Sequence, residues 1–408
     1  MRLSRRDLVA GAALVPTGGV AQAARGAAGA APGADFSFPG VYLDAAFTHP
    51  VGRFAERAAI AYARARAHDP QAVGPRGNAR RAAVERFARL INAAPEDIAV
   101  VPSTLEAENL VNAALGIRPG AGTDGGVVTD ALHYDGSLLL YGELARRGVP
   151  VAVARAVGGR VDLAAIRDLI GPKTRLVAVS LVSSTTGFEH DLEALCALAH
   201  ARGALVYADL IQAAGARPVD VKASGVDFAG CGTYKWLMGD FGAAFLYVRP
   251  DRLERLTRVQ VGWRQTARQE SHALPLEPPG PLIDDFALKG GAAGLFEVST
   301  PAWGALAVAA ASLDYIAGLG PEAIARRRRP LMEQLRDGLS GGGFLPLTPP
   351  DSSGPIFACA VEGAEARFGP TLAAQGVRIS LYPHRLRVSP SVYNTPSDID
   401  ALLRGLRG

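Results

Sequence analysis

The chain has 408 residues, 49% apolar and 20% charged, which allows a large core and about two or three domains and is ordinary for a globular protein. A net charge of +4, part of it from Arg2, Arg5 and Arg6 against Asp7, is too weak to argue for a nucleic-acid partner. The three cysteines, Cys196, Cys231 and Cys359, show no CxxC spacing and no metal-like pairing, so they give neither a disulfide framework nor a metal site.

The chain opens MRLSRRDLVAGAALVPTGGVAQA: a basic start, an apolar stretch without acidic residues after Asp7, and a small-residue AQA end, the layout of a secretory signal. Arg5 and Arg6 add the paired arginines of a twin-arginine signal, with a retained N-terminal helix as the alternative. This predicts cleavage after Ala23, passage through the twin-arginine export machinery to the periplasm, and a flexible leader up to residue 34. That route carries folded proteins, which suits an enzyme that takes up a cofactor before export. No later apolar run is long and clean enough to anchor the chain in a membrane.

From Arg81 onward amphipathic segments alternate with short apolar runs. AAVERFARLINAA reads as helix, DIAVV as strand, LEAENLVNAAL as helix, GGVVTD as strand and YGELARRG as a helix end. VPVAVAR, LAAIRDLI, RLVAVSLV, LEALCALAHARG and ALVYADL continue as strand, helix, strand, helix and strand. Such alternation predicts βαβ units and an α/β fold with a mainly parallel sheet covered by helices on both faces. Beyond Pro301 the rhythm stops. A long helix over WGALAVAAASLDYIAGLG precedes a mixture of helices and strands. The expected organisation is a large α/β domain over 61–305 and a smaller α+β domain over 306–408, which residues 35–60 join. The run Arg326 to Arg329, ahead of Pro330, reads as the solvated face and end of a helix, with a patch for an anionic partner as the alternative.

In open sheets of this kind ligands gather beyond the carboxyl ends of the strands, so the residues that follow each strand are the candidates. DIAVV runs into PSTLEAENL, where Ser103 and Glu106 form a capping box and the amides of Thr104 and Leu105 open a helix. Such a terminus accepts a phosphate, although capping boxes are common. GGVVTD places His133 and Tyr134 at the same edge, and RLVAVSLV places Ser183 and Ser184 there. A lone histidine is more often structural. ALVYADL ends in Asp209, with Gln212 a helical step later; a helix N-cap is the plain alternative for that carboxylate. Lys235, one of only four lysines, follows between Tyr234 and Trp236 in CGTYKWLMGDFG.

A carboxylate, an amide, a phosphate-ready helix start, an aromatic ring and a lysine suit one ligand. Pyridoxal 5'-phosphate carries a pyridine, a phosphate, a phenolic oxygen and an aldehyde that condenses with an amine. In that reading Asp209 keeps the ring nitrogen protonated, Gln212 donates to the phenolic oxygen, His133 stacks on the ring, and Lys235 condenses with the aldehyde.

With these residues the chain resembles the class V aminotransferase family of fold-type I pyridoxal-phosphate enzymes, which includes cysteine desulfurases, kynureninases and isopenicillin N epimerase-like proteins. The resemblance runs from YLDAAFTHP near residue 42 to the C-terminus and is most specific over ADLIQAAGARPVDVKASGVDFAGCGTYKWLMGDFGAAFLYV. It implies the roles above for Asp209, Gln212 and Lys235, a phosphate contact from Tyr234, and a place for His49 at the substrate. LFEVSTPAW resembles the family's E-x-G-T-P stretch, with Ser299 in place of glycine. Thr300 would then reach the phosphate held by a partner subunit, which implies a homodimer with shared active sites. RLRVSPSVYNTPSDIDALL resembles the family's ending and implies Arg387 as the clamp for a substrate α-carboxylate, with Arg385 as its nearest rival. Two departures stand out. STLEA puts Leu105 where relatives carry a hydroxyl, leaving backbone amides with Ser103 or Thr104 for the phosphate, and Ser184 replaces the usual asparagine.

The resemblance further implies chemistry at Cα of an amino acid or peptidyl amine, with Lys235 as general base and acid and His133 beside the reacting ring. The loop AAQGVRISLYPH before RLRVS holds no thiol, which disfavours desulfuration through a persulfide, and Cys359 reads as core. The leading expectation is periplasmic tailoring of an exported peptide metabolite, because exported members resemble the enzyme that modifies the glutamyl side chain of pyoverdine siderophores. A C–S or C–C β-lyase or an epimerase is the alternative within the family. A non-catalytic pyridoxal-phosphate carrier or sensor is the alternative of another class, and it would have no use for Arg387 beside Lys235.

Overall fold

The order and direction of the strands in one large sheet decide which loops meet. A computed structural model describes residues 32–74, 77–120 and 125–407; the export signal read in residues 1–23 lies outside the described residues. The chain begins with β1 (Val41–Tyr42), α1 (Arg53–His68), α2 (Ala79–Leu90), β2 (Ile98–Val101), α3 (Thr104–Ala114), β3 (Gly126–Asp130) and α4 (Asp135–Arg146). It continues through β4 (Val151–Ala154), α5 (Leu163–Leu169), β5 (Thr174–Ser180), α6 (Leu192–His200), β6 (Leu205–Asp209), α7 (Val221–Ser224), β7 (Phe228–Gly232) and β8 (Ala244–Val248). The hairpin β9 (Thr266–Gln269) and β10 (Phe286–Leu288) leads to α8 (Gly291–Phe296), α9 (Trp303–Leu319) and α10 (Pro321–Gly338). Last come β11 (Leu345–Pro346), β12 (Phe357–Ala360), α11 (Ala364–Ala374), β13 (Val377–Arg378), β14 (Ser380–Tyr382), β15 (Arg385–Val388) and α12 (Pro396–Arg407).

The seven-stranded sheet has the order β2-β8-β7-β6-β5-β3-β4. Strands β3 to β7 pair in parallel, whereas β8 runs antiparallel to both β7 and β2. Six strands therefore point their carboxyl ends the same way. Both faces are buried: Leu205 and Tyr207 of β6 join one apolar cluster with Phe228 and Leu246, and Val206 and Ala208 join the opposite one with Phe245. This is the architecture that the continuous apolar runs predict.

Strand β7, FAGCG, is the element that apolar periodicity fails to announce, because glycine weakens a strand. Its small residues are dictated by neighbours. A Cβ on Gly230 would lie 2.2 Å from the Tyr207 hydroxyl, and one on Gly232 would lie 3.1 Å from Thr104 Oγ1.

A second sheet, β11-β12-β15-β14, is antiparallel and packs Phe357, Cys359, Leu386 and Val388 against Leu335 of α10 and Leu402 of α12. The N-terminal segment is laid along this part of the chain, since β1 pairs in parallel with β13 and Ser389 N donates to Leu43 O at 2.7 Å. Helix α9 packs against α1 and α2. The arginine run lies inside α10, which continues through Pro330. Arg326, Arg327 and Arg329 are exposed as expected, but Arg328 is buried. Among the described residues no single helix is long and apolar enough to cross a membrane.

The LFEVSTPAW stretch is anchored by its glutamate. Glu297, at the end of α8, accepts from the guanidinium of Arg80 and from Val100 N at 2.8 Å, tying this loop to α2 and β2. Glu297→Ala would strand a buried backbone N–H and a guanidinium together. The expected loss is about 2–3 kcal/mol of unfolding free energy, read as a lower urea midpoint, with Glu297→Gln losing less. An unchanged midpoint for the alanine variant would contradict this anchoring.

Candidate active site

The catalytic candidates lie where the strand directions bring them. Ser103 and Thr104 follow β2, His133 follows β3, Ser184 follows β5, Asp209 ends β6, and Tyr234 and Lys235 follow β7. Lys235 sits in the turn between β7 and β8, closed by Met238 N donating to Lys235 O and Gly239 N donating to Thr233 O, both at 2.8 Å. Trp236 is fully buried and its Nε1 donates to Gln212 Oε1 at 2.8 Å. Gly215, at φ +88°, is pressed against the same turn, because a Cβ there would come within 2.2 Å of Trp236 O. Trp236 and Gly215 together fix how far the lysine reaches.

Lys235 is 8% exposed, with Nζ 5.7 Å from the Tyr234 ring centre and 6.0 Å from that of Tyr134. Burial pulls its ammonium pKa down to about 8; Asp209 opposes the shift and Arg387 adds to it. The amine is thus half uncharged near pH 8, where an ordinary lysine is almost wholly protonated, and the free fraction is the form a nucleophile or base requires.

Asp209 is buried, and the one hydrogen bond to its carboxylate among the described residues comes from Ile211 N at 2.8 Å. Burial pushes its carboxyl up to about 6, against the opposing pull of that N–H, His133 and Lys235. A buried carboxylate with so little compensation suits a cation delivered by a ligand, such as a protonated ring nitrogen. Gln212 donates one amide hydrogen to Ala46 O at 3.0 Å while its carbonyl accepts from Trp236. The second amide hydrogen remains for a ligand oxygen.

His133 is held at both ring nitrogens. Nδ1 lies 2.8 Å from Ser180 Oγ and Nε2 lies 3.0 Å from Glu108 Oε1. Glu108 also accepts from the hydroxyls of Ser137 at 2.5 Å and Tyr141 at 2.6 Å. Burial works against charge on the imidazole, but Glu108, with Asp130 and Asp209 behind it, leaves its pKa raised overall. What His133 offers a ligand is its ring face. Sequence reasoning missed Glu108. Its signal is the spacing of four in Thr104, Glu108 and Asn112, a buried polar row beside the apolar Ala107, Leu110, Val111 and Ala114 of α3.

Ser103 caps α3, accepting from Glu106 N at 3.1 Å, so the amides of Thr104 and Leu105 head the helix. Thr104 Oγ1 accepts from Gly232 N at 2.9 Å, which ties the helix start to β7 next to the lysine turn. Leu105 is half-buried. Tyr234, also half-buried, stacks on Phe241 with ring centres 4.7 Å apart. Thr300 is exposed in a surface groove with Tyr62 and Trp303, apart from this cluster.

Arg387 reaches the cluster from β15. Its Nη1 donates to Ser184 O at 3.1 Å, and its Nη2 donates to Ser380 Oγ at 2.8 Å and Asp44 Oδ1 at 3.3 Å. Nε is buried without a partner among the described residues. Asp44, another residue the sequence did not single out, has a carboxyl pKa raised by burial and opposed chiefly by Arg387. Arg385 instead places its guanidinium 4.1 Å from the Tyr382 ring. His49 differs from expectation. Its ring is 2% exposed, its Nδ1 meets Pro50 O at 2.8 Å and its Nε2 meets Ser391 Oγ at 2.7 Å, among the rings of Phe36, Trp236 and Tyr393. With both nitrogens used and burial holding its pKa at about 4, His49 joins the N-terminal segment to the C-terminal part and presents no group to a substrate.

The lysine environment is directly testable. Acetylation of the cofactor-free protein across a pH series, resolved by peptide mass mapping, is expected to reach half-maximal labelling of Lys235 near pH 8. An ordinary lysine would reach it at about 10.4, and that result would contradict the burial argument.

The family model described as Aminotransferase class-V matches residues 62–402. A probable cysteine desulfurase of Methanothermobacter thermautotrophicus is 32% identical over 252 residues, 62% of this chain; the match spans 59% of that protein, under two thirds of its length. The isopenicillin N epimerase of Streptomyces clavuligerus is 30% identical over 340 residues, 79% of this chain and 82% of that protein. Among solved structures, the cysteine desulfurase CsdA of Escherichia coli has a TM-score of 0.77 at 23% identity, covering 90% of this chain and 94% of that one. A C-DES mutant with glycine covalently linked to its PLP cofactor has a TM-score of 0.75 at 20% identity, covering 90% and 96%. The fold is the fold-type I α/β architecture, and the chain belongs to the class V aminotransferase family.

Proposed function

We propose that this class V enzyme uses pyridoxal phosphate to act at Cα of an amino acid or peptidyl amine, and that it tailors an exported peptide metabolite, such as a siderophore, in the periplasm. The observation that carries the chemistry is the buried amine of Lys235, its pKa pulled down to about 8, beside Asp209 and Arg387 at one sheet edge. The paired Arg5 and Arg6 support the location, and the twin-arginine machinery is the partner they imply.

When bound, the cofactor supplies an aldehyde for a substrate amine and a pyridine that takes up the electrons of a bond broken at Cα. Asp209 holds a proton on the ring nitrogen, Gln212 donates to the phenolic oxygen, and His133 supports one face of the ring. The Thr104 and Leu105 amides, the Ser103 cap and Tyr234 hold the phosphate, and Thr300 of a second copy completes it in a homodimer. Lys235 takes the proton from Cα and returns it. Arg387, with Ser184 beside it, binds the substrate carboxylate, for which Asp44 holds the guanidinium ready.

The cysteines separate this reading from persulfide chemistry. Burial pushes the thiols of Cys196 and Cys359 up to about 12 and that of Cys231 well above its ordinary value. All three are buried, so none supplies the thiolate a persulfide-forming nucleophile needs. Elimination of a β group or epimerisation at Cα, which need no such thiol, is the second reading, and the likeness to an epimerase favours its epimerisation branch.

Borohydride reduction of the purified protein is expected to leave phosphopyridoxyl on Lys235, and Lys235→Ala is expected to lose the adduct and all turnover. An adduct that survives the substitution, or that maps to another lysine, would refute the cofactor assignment. Incubation with exported peptide metabolites, read as a mass change, tests the substrate class; turnover of free amino acids alone would count against peptide tailoring.

A further inference from the structure

The arginine run that the catalytic reading leaves unused forms one wall of a second cavity. This cavity, about 440 Å³, lies between α10 and the segment 350–354, and Arg217, Arg326, Arg328, Arg329 and Arg336 line it. Most of the nearby carboxylates are already committed. Glu333 pairs with Arg329 at 3.1 Å, Asp351 pairs with Arg160, and Glu189 pairs with Arg217. Arg326, Arg328 and Arg336 are left without a carboxylate partner among the described residues, although Arg336 donates to Pro350 O. Arg327, the remaining member of the run, points elsewhere and donates to Val392 O at 3.2 Å.

Arg328 is the unusual member. It is 3% exposed, its Nη1 donates to Ala216 O at 3.0 Å, and its Nη2 is buried with no hydrogen-bond partner. A buried guanidinium with an unsatisfied nitrogen is costly, and such groups in native proteins call for an ion or ligand to complete them. Burial, with Arg217 adding to it, pulls its pKa down to about 9, a shift that a neighbouring anion would reverse. A guanidinium fork matches the two oxygens of a carboxylate or phosphate.

We propose that this cavity binds the oxyanion group of a small molecule, a carboxylate or a phosphate, on Arg328 with Arg326 and Arg336 at its rim. The site lies one side chain behind the catalytic turn. The Arg328 guanidinium sits 5.6 Å from the Trp236 ring, and Trp236 bonds to Gln212 and adjoins Lys235. Occupancy therefore changes Trp236 emission as well as releasing heat.

The test titrates the full chain, carrying cofactor and freed of excess, with inorganic phosphate in one arm and citrate in the other at constant ionic strength. Calorimetry and tryptophan emission are both followed. At least one anion is expected to bind, and the arm that responds identifies which oxyanion fits. Affinity is expected to fall about tenfold in the surface variant Arg326→Gln/Arg336→Gln, with Lys235 adduct formation unchanged. Arg328→Met is expected to abolish binding, and the surface variant decides the matter if Arg328→Met does not fold. Binding by neither anion, or equal affinity in wild type and the surface variant, overturns the proposal. A failure of the cofactor reading would show instead as a missing Lys235 adduct, with anion binding unaffected.

Discussion

The site depends on keeping one amine out of water without giving it a salt bridge. A lysine paired closely with a carboxylate would stay protonated and inert, and one on the surface would keep its ordinary pKa. The turn between β7 and β8 avoids both. It buries Lys235 between aromatic rings and leaves Asp209 and Asp44 near enough to moderate the shift without cancelling it. That compromise requires the turn to be rigid, which explains the investment around it: the buried Trp236, its bond to Gln212, and the glycine at 215 that lets two backbones touch.

The same economy of charge runs through the rest of the centre. Asp209 and Glu108 are both buried carboxylates, yet their surroundings push them in opposite directions. Burial dominates at Asp209 and raises its pKa, whereas His133 and two hydroxyls hold Glu108 below its ordinary value. One is therefore an open acceptor waiting for a cation, and the other is a closed support that orients the imidazole. Arg387 is likewise preorganised, with Ser380, Ser184 O and Asp44 fixing its plane from three sides. The cysteines are sequestered in the cores of both sheets, which fits chemistry at Cα without a second nucleophile.

Much of this was legible in the sequence because the large sheet obeys a simple rule. Apart from β7, each parallel strand carries an apolar run whose end is visible, so Asp209 and His133 could be read off at those ends, while Lys235 stood out by its place between Tyr234 and Trp236 ahead of a glycine-rich turn. Residues whose meaning comes from distant contacts were not legible. Asp44 meets Arg387 because the N-terminal segment, after pairing with β13, bridges Ser389 just beyond β15. Glu108 looks like any helical glutamate until His133 is folded onto it. Arg328 looks like its exposed neighbours, although the turn of α10 puts it alone inside. Strand β7 hid because Tyr207 and Thr104 fill the space its side chains would take. His49 misled for the converse reason, since a family position suggested chemistry where the fold uses both ring nitrogens for packing.

The most direct measurement is a crystal structure of the cofactor-loaded protein. The account predicts continuous density from Lys235 Nζ to pyridoxal phosphate, with the ring nitrogen against Asp209, the ring face on His133 and the phosphate at the start of α3. An unlinked Lys235, or a ring nitrogen turned away from Asp209, would contradict it.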